Sequence, residues 1–224
     1  MRIHQHLALS VWHRAPSAAG KPRISIPCAA IAVLVLLLSG CAKPRPIKYY
    51  QITYPSSLAV SPETIDTTLF VRSFEASHLY LDDRVVYGYD SPEMGTYEDQ
   101  RWAEPPVEML RDAIVRGLRS SGRFKGGVYS ARSEFSGRYL LSGHLYDFKE
   151  LDAATISARL SFEARLWDRK TRTLLWSRWY SYDEPAAEKT VGAVAAAMDK
   201  NVRRSVQAIE ADLTEYFKAH PPQP

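Results

Sequence analysis

Hydrophobic and polar residues follow two periods along this chain, and each period predicts one kind of element. Short runs rich in aromatic and β-branched residues indicate strands. Two longer segments place apolar residues three or four positions apart, which predicts amphipathic helices. The predicted strands are 49–54, 68–74, 84–89, 96–102, 124–129, 139–148, 156–167 and 174–182, and the predicted helices are 107–118 and 188–220.

The order of these elements predicts the fold class. The strands 84–89 and 96–102 flank the turn-rich stretch 90–95 and should form a hairpin. One helix follows Pro105 and Pro106 in the middle of the chain, and the other lies near its end. Because an amphipathic helix buries its apolar stripe against another layer, we expect one α/β domain with a mixed, largely antiparallel sheet.

The two strands nearest the carboxyl end carry the first candidate functional surface. They are predicted to pair as an antiparallel hairpin with Trp167 opposite Leu174, which also sets Glu163 beside Arg178. One face of this hairpin would be apolar, and the other would collect aromatic and Arg side chains. The candidate partner-binding residues are Arg165, Trp167, Trp176, Arg178, Tyr180 and Tyr182.

Two interpretations of this aromatic face stay open. Aromatic and Arg side chains are enriched at protein–protein interfaces and at their binding hot spots. The alternative is that the long terminal helix or a neighbouring subunit covers the face as part of the core. Trp102, at the end of its predicted hairpin, is likewise either an interface anchor or a core residue.

The amino-terminal segment has the layout of an export signal. Residues 26–38 are apolar, and as a helix they reach only about 20 Å, against a membrane hydrocarbon core of about 30 Å. Basic residues precede this run and small residues follow it. We therefore predict that residues 1–40 are a signal peptide and not part of the fold.

Four residues at the end of the apolar run, Leu38, Ser39, Gly40 and Cys41, resemble the lipobox of bacterial lipoproteins. The resemblance implies that diacylglycerol alkylates the Cys41 thiol and that the chain is cut just before it. Buried acyl chains contribute about 0.8 kcal/mol per CH₂ to such an anchor. Ala42 stands where Asp resembles an inner-membrane retention signal, so we expect the periplasmic face of the outer membrane, with the inner membrane as the alternative.

A tether and one globular domain are predicted after the lipobox. Residues 41–48 hold two prolines and few apolar groups, so they should run extended. Residues 49–220 have the composition and length of one domain. Cys28 would leave with the signal peptide, so the mature domain would contain no disulfide.

The positive charge of the chain is concentrated in the predicted leader. The formal net charge is +4, from 29 Lys and Arg against 25 Asp and Glu. Arg2, Arg14, Lys21 and Arg23 lie in residues 1–40, which hold no acidic residue, so the rest of the chain is formally neutral. Nucleic-acid binding needs basic groups clustered on the folded domain, and we expect no nucleic-acid partner.

Side chains suited to catalysis or metal binding are few after the lipobox. The histidines there are His78, His144 and His220, and no cysteine follows Cys41. The sequence lacks the G-x-S-x-G, H-E-x-x-H and glycine-rich phosphate-loop motifs. We therefore expect no catalytic residue, metal or cofactor, and we interpret His144 as a packed strand residue.

Several motifs occur in an order similar to that of one known family. They are Tyr49-Tyr50-Gln51-Ile52, Tyr80-Leu81, Arg84-Val85-Val86-Tyr87, Tyr97, Trp102-Ala103-Glu104-Pro105-Pro106, Tyr139-Leu140-Leu141-Ser142-Gly143-His144-Leu145 and the long closing helix. Together they resemble the ABC-type transport auxiliary lipoproteins over residues 49–217. The order and spacing of the motifs carry the resemblance.

The resemblance implies a non-enzymatic periplasmic component that works beside an ABC transporter and an MCE-domain lipid-binding protein. Such systems move lipids or other hydrophobic molecules between the two membranes. It also implies a three-layer α/β/α arrangement like that of anticodon-binding domains. The expected partners are the MCE-domain protein, the transporter components and the membrane through the lipid anchor, with self-association as a further expectation.

Two other function classes remain open. One is a lipid-tethered hydrolase that is secreted or acts on the cell wall. The other is an outer-membrane assembly lipoprotein unrelated to MCE transport.

Overall fold

The computed structural model describes residues 45–53, 63–89, 92–130 and 137–222. The predicted signal peptide, with Leu38, Ser39, Gly40 and the lipidation site Cys41, lies outside these residues. The described residues belong to one compact unit that begins at Arg45.

Nine strands, two α-helices and a short 3-10 helix at His78–Tyr80 form within this part of the chain. The strands are β1 (Lys48–Tyr50), β2 (Leu69–Val71), β3 (Glu75–Ala76), β4 (Arg84–Gly88), β5 (Met94–Trp102), β6 (Val128–Ser130), β7 (Tyr139–Leu151), β8 (Ser157–Asp168) and β9 (Thr173–Pro185). The helices are α1 (Pro106–Ser120) and α2 (Val191–Ala219).

Strand β7 organises a mixed sheet. Along one side it pairs in parallel with β2, β3 and β4, and along the other it pairs antiparallel with β8. The predicted hairpin of β4 and β5 is confirmed, and β9 pairs antiparallel with β8. Strands β1 and β6 add parallel pairs to β5 and β2. The longest ladders, β7 with β8 and β8 with β9, are antiparallel.

One hydrophobic core lies between the sheet and the helices. Because alternate residues of a strand share a face, β8 points Leu160, Phe162 and Leu166 into it, all fully buried. α1 adds Ile114 and α2 adds Ile209, and the two helices contact each other. The predicted class, a mixed α/β domain with two amphipathic helices, is confirmed. Both helices share one side of the sheet, where the resemblance implied α/β/α layers.

Local signals set the ends of the helices. α1 begins with Pro106, whose missing N–H costs nothing in a first turn, and carries Glu108 near the positive end of the dipole. Gly122, at φ 65°, follows its end. α2 begins three residues later than predicted because the Thr190 side chain caps it, accepting a hydrogen bond from the Ala193 amide at 3.2 Å.

The predicted register of β8 and β9 is wrong by one residue over most of its length. Trp167 does lie opposite Leu174, but Leu166 pairs with Trp176, which leaves Leu175 as a bulge. The bulge reverses the facing of every later residue of β9. It turns Tyr180 toward the core in place of Trp179, and the Tyr180 ring stacks on Phe162 with the centroids 5.1 Å apart.

Candidate functional site

The six predicted partner-binding residues do not form one surface. The bulge in β9 places Trp176, Arg178, Tyr180 and Tyr182 on the same side as the buried residues of β8. Arg165 and Trp167 point to the opposite side. The predicted single aromatic and Arg face is therefore wrong, and the two groups have different surroundings.

The long helix contacts three residues of the first group, Tyr180, Arg178 and Tyr182. Tyr180 is only 4% exposed, and its hydroxyl donates a hydrogen bond to Asp212 of α2 at 2.7 Å. Arg178 forms an ion pair with the same carboxylate at 3.1 Å. The Arg204 guanidinium lies 5.3 Å from the Tyr182 ring centroid. Burial, with the nearby Asp212, raises the pKa of Tyr180. For Tyr180 the alternative interpretation, cover by the terminal helix, is the observed one, whereas the Arg178 side chain stays 52% exposed.

Trp102 is a core residue. Its ring is fully buried and meets Phe148 edge to face, with the centroids 5.2 Å apart. It also contacts Tyr50 edge to face at 6.4 Å. Trp102 therefore fixes β5 against β7 and is not an interface anchor.

The candidate functional site is the other side of the same three strands, here called the outer face. Its central residues are Ser142, His144, Tyr146, Glu163, Arg165, Trp167, Ser177 and Trp179. Tyr146 is 42% exposed and Trp179 is 53% exposed, and their ring centroids lie 4.6 Å apart. The His144 ring adds to them, 4.4 Å from Tyr146. These three rings form a continuous aromatic strip on the open side of the sheet.

The polar groups of the outer face bind one another. Arg165 forms an ion pair with Glu163, and the Ser177 hydroxyl donates to the same carboxylate. These hydrogen bonds hold the pKa of Glu163 below its usual range. The Trp167 indole donates to the Ser142 hydroxyl at 3.1 Å. The charged groups are thus paired within the outer face, whereas the rings of Tyr146 and Trp179 are exposed.

A small cleft of about 190 Å³ adjoins this strip. Arg165 and Trp167 line it from β8, and Ser142 lines it from β7. Arg72 and Glu75 close the side toward β2 and β3. The two predicted residues that do face outward therefore border a concave surface.

Tyr146 and Trp179 were missed by sequence reasoning. Trp179 was assigned to the apolar face, since without a bulge it pairs with Phe162. Tyr146 falls at an irregularity in the pairing of β7 with β8, between Leu145 and Asp147. Alternation along β7 places Tyr146 on the same side as His144, but it does not reveal the ring of Trp179 beside it, because the facing of Trp179 depends on where β9 gains one residue.

In the described ranges, His, Cys, Asp and Glu residues do not gather in threes with a geometry that holds a metal ion. None of the helices in those ranges combines the length and hydropathy needed to cross a membrane.

Comparison with known proteins agrees with the resemblance found in the sequence. A family model described as the ABC-type transport auxiliary lipoprotein component matches residues 50–210. The crystal structure of protein XCC0632 from Xanthomonas campestris has a TM-score of 0.69 at 20% identity, over 77% of this chain and 98% of that chain. A crystal structure of an uncharacterised protein has a TM-score of 0.61 at 16% identity, over 75% of this chain and 99% of that chain.

These structural similarities show the fold alone, since the identities are low. No curated protein matches the sequence. The family model covers more than half of the chain, and this protein therefore belongs to the family of ABC-type transport auxiliary lipoprotein components.

Proposed function

We propose that this protein is a non-enzymatic docking component that holds an MCE-domain protein of an ABC transport system through its outer face. Family membership makes it a lipid-anchored envelope protein associated with ABC transport. The proposal adds the MCE-domain partner, an anchor at Cys41 on the periplasmic face of the outer membrane, and the surface that binds.

One observation carries the proposal: the packed, exposed pair of Tyr146 and Trp179, with ring planes tilted by 41°, on the side of the sheet away from both described helices. Large aromatic rings that stay half exposed are typical of the residues that contribute most to binding. The rings hold each other in place, so little side-chain freedom is lost when a partner covers them.

The surroundings of the pair support contact with a protein. Glu163 and Arg165 already neutralise each other, so covering them leaves no unpaired charge at the interface. The adjoining cleft, which Trp167 helps to line, is a concave site that a side chain of the partner can enter. An exposed aromatic strip beside a cleft of only about 190 Å³ favours a folded partner over a small substrate.

The non-enzymatic part of the proposal draws on the same contacts. The carboxylate of Glu163 is held ionised by Arg165 and Ser177, which makes it a poor general acid. His144 packs against Tyr146 and lies 3.9 Å from the Glu75 carboxylate, as a packed strand residue does.

Affinity purification tests this function. The tagged full-length lipoprotein is expressed in its own host, and detergent-solubilised membranes are compared with those of a Tyr146→Ala, Trp179→Ala double variant. Tyr49→Ala is the matched control, because Tyr49 is 63% exposed on β1 and lies outside the outer face. We expect the wild type and the control to recover an MCE-domain protein with its ATPase and permease.

The double variant should lose these partners while keeping its melting temperature. Recovery that is equal with all three proteins would remove the outer face from the proposal. Recovery of differently tagged copies of this chain alone would assign the face to self-association instead.

A further inference from the structure

A cleft of about 780 Å³ opens beside the β4–β5 hairpin, at the Glu150 end of β7. Tyr87, Tyr89 and Tyr97 line it, together with the carboxylates of Glu150 and Asp152. Its volume lies in the range of sites for small organic ligands. None of the predicted site residues lies in this cleft.

The three tyrosines present their rings from different directions. The centroids of Tyr87 and Tyr97 are 4.9 Å apart with the planes at 56°. The Tyr89 ring lies 6.4 Å from that of Tyr87 and nearly perpendicular to it, at 83°. Aromatic faces attract cations, and cages of such rings recognise ammonium ligands.

Glu150 is the second, independent feature of the cleft. It is only 4% exposed, and its Oε1 accepts a hydrogen bond from the Tyr97 hydroxyl at 3.0 Å. Among the described residues, no donor or cation pairs with Oε2. The neighbouring Lys149 is engaged by Asp147 at 2.8 Å. Glu150 lines the cleft, and because carboxylates with so little exposure are ordinarily paired when charged, its Oε2 side is a suitable contact for a cation in the cleft.

We propose that the cleft binds an organic ammonium group, held between the tyrosine rings and the carboxylates of Glu150 and Asp152. Carboxylates supply the opposite charge, and the rings supply the cation–π attraction that a larger, weakly hydrated ammonium group exploits. A bare metal ion suits the site less, because the acidic groups of the described ranges do not converge with metal-binding geometry.

The favoured source of the ammonium group is the headgroup of a zwitterionic phospholipid. Arg45 and Ile47, from the segment that enters β1, also line the cleft. Arg45 stands four residues after Cys41, so their Cα atoms lie within about 14 Å of each other. With lipid on Cys41, the cleft is close to the membrane surface. Arg45 then offers a partner for the phosphate next to the ammonium group.

This inference rests on the lipid anchor of the proposed function but not on the outer face, which uses other residues. Isothermal titration calorimetry on the full-length lipoprotein in detergent tests it. The probes are ethanolamine, glycerophosphoethanolamine and glycerophosphoglycerol. The variants are Glu150→Gln, Tyr89→Ala and Arg45→Ala, with Glu188→Gln as a control at an exposed carboxylate outside the cleft.

Both amines should bind the wild type and the control, and glycerophosphoglycerol should not. Glu150→Gln should weaken the amines by about tenfold or more. Tyr89→Ala tests the same site at an exposed ring, so a folding defect at the buried position does not decide the result. Glycerophosphoethanolamine should bind more tightly than ethanolamine, and Arg45→Ala should abolish that difference.

Equal binding of the two amines would overturn the headgroup assignment and leave a site for free amines. Absence of amine binding, or binding that Glu150→Gln and Tyr89→Ala leave unchanged, would overturn the site itself. Partner recovery by the Glu150→Gln protein should equal that of the wild type, so the outcome is independent of the docking proposal.

Discussion

The Tyr180 hydroxyl donates a hydrogen bond to Asp212 over 2.7 Å and so ties β9 to α2. Replacing Tyr180 with Phe keeps the ring stacked on Phe162 but removes this bond. A hydrogen bond of this kind contributes about 0.5–1.5 kcal/mol, or somewhat more when one partner is charged. We expect Tyr180→Phe to lower the free energy of unfolding by about 1–2 kcal/mol in urea titration.

The matched control is Tyr49→Phe, at an exposed hydroxyl on β1, which should change stability by less than about 0.5 kcal/mol. Equal stability of the Tyr180→Phe protein and the wild type would mean that Asp212 does not tie the helix to β9.

Gly143 allows β7 and β8 to pack beneath Phe74. A Cβ atom at this position would lie 2.0 Å from the Glu163 carbonyl oxygen and 2.4 Å from Phe74 Cε1. Because the first neighbour is backbone, it cannot rotate away. Gly143→Ala should therefore cost about 2–3 kcal/mol of stability, as overpacking does in a dense core.

Gly192→Ala is the companion variant for this test. Its added Cβ would have Tyr50 Cε1 as nearest neighbour, at 3.7 Å, near the start of α2. Because Ala favours a helix over Gly, this change should be neutral or stabilise by up to about 1 kcal/mol. Chemical denaturation of both proteins gives the comparison, and a Gly143→Ala protein as stable as Gly192→Ala would contradict the close approach.

Because its pKa is raised in the folded state, Glu150 should lower the free energy of unfolding as pH rises. Burial raises the pKa of its carboxyl, the Tyr97 hydrogen bond opposes the rise and the Asp152 charge adds to it. The native state therefore keeps this proton to a higher pH than the unfolded chain does. Stability is lost as pH climbs from the usual Glu range through the raised native pKa.

The Glu150→Gln variant carries no such proton. Its melting temperature relative to the wild type should increase through that pH window and then level off. A difference that stays constant or shrinks as pH rises would show that the native site stabilises the ionised carboxylate without a ligand.

Local patterns predicted the elements but not the register between two of them. Helical spacing and proline placement identified α1 within a few residues, since these signals lie inside the element itself. The bulge at Leu175 turns Tyr180 to the side from which its hydroxyl reaches Asp212, a residue 32 positions further along the chain. Alternation cannot reveal such a contact, and the predicted site was divided between two faces for that reason.

The cleft beside the β4–β5 hairpin could not be predicted from the sequence for a similar reason. Glu150 occupies a strand position at which a buried residue is normally apolar, and its partner Tyr97 is 53 residues away. Tyr97 lies on β5 and Glu150 on β7, and the two meet because β4 pairs with both strands. Long-range pairing of this kind leaves no local signal.

Site-specific photo-crosslinking in living cells tests the central claim, that the outer face is the docking surface. A photoreactive phenylalanine derivative replaces Trp179, and a second protein carries it at Lys200, whose side chain is 65% exposed on α2. We predict that the derivative at Trp179 captures an MCE-domain component of the transport system and that the derivative at Lys200 does not. Capture of that component from Lys200 alone would place the docking surface on the helical side and contradict the claim.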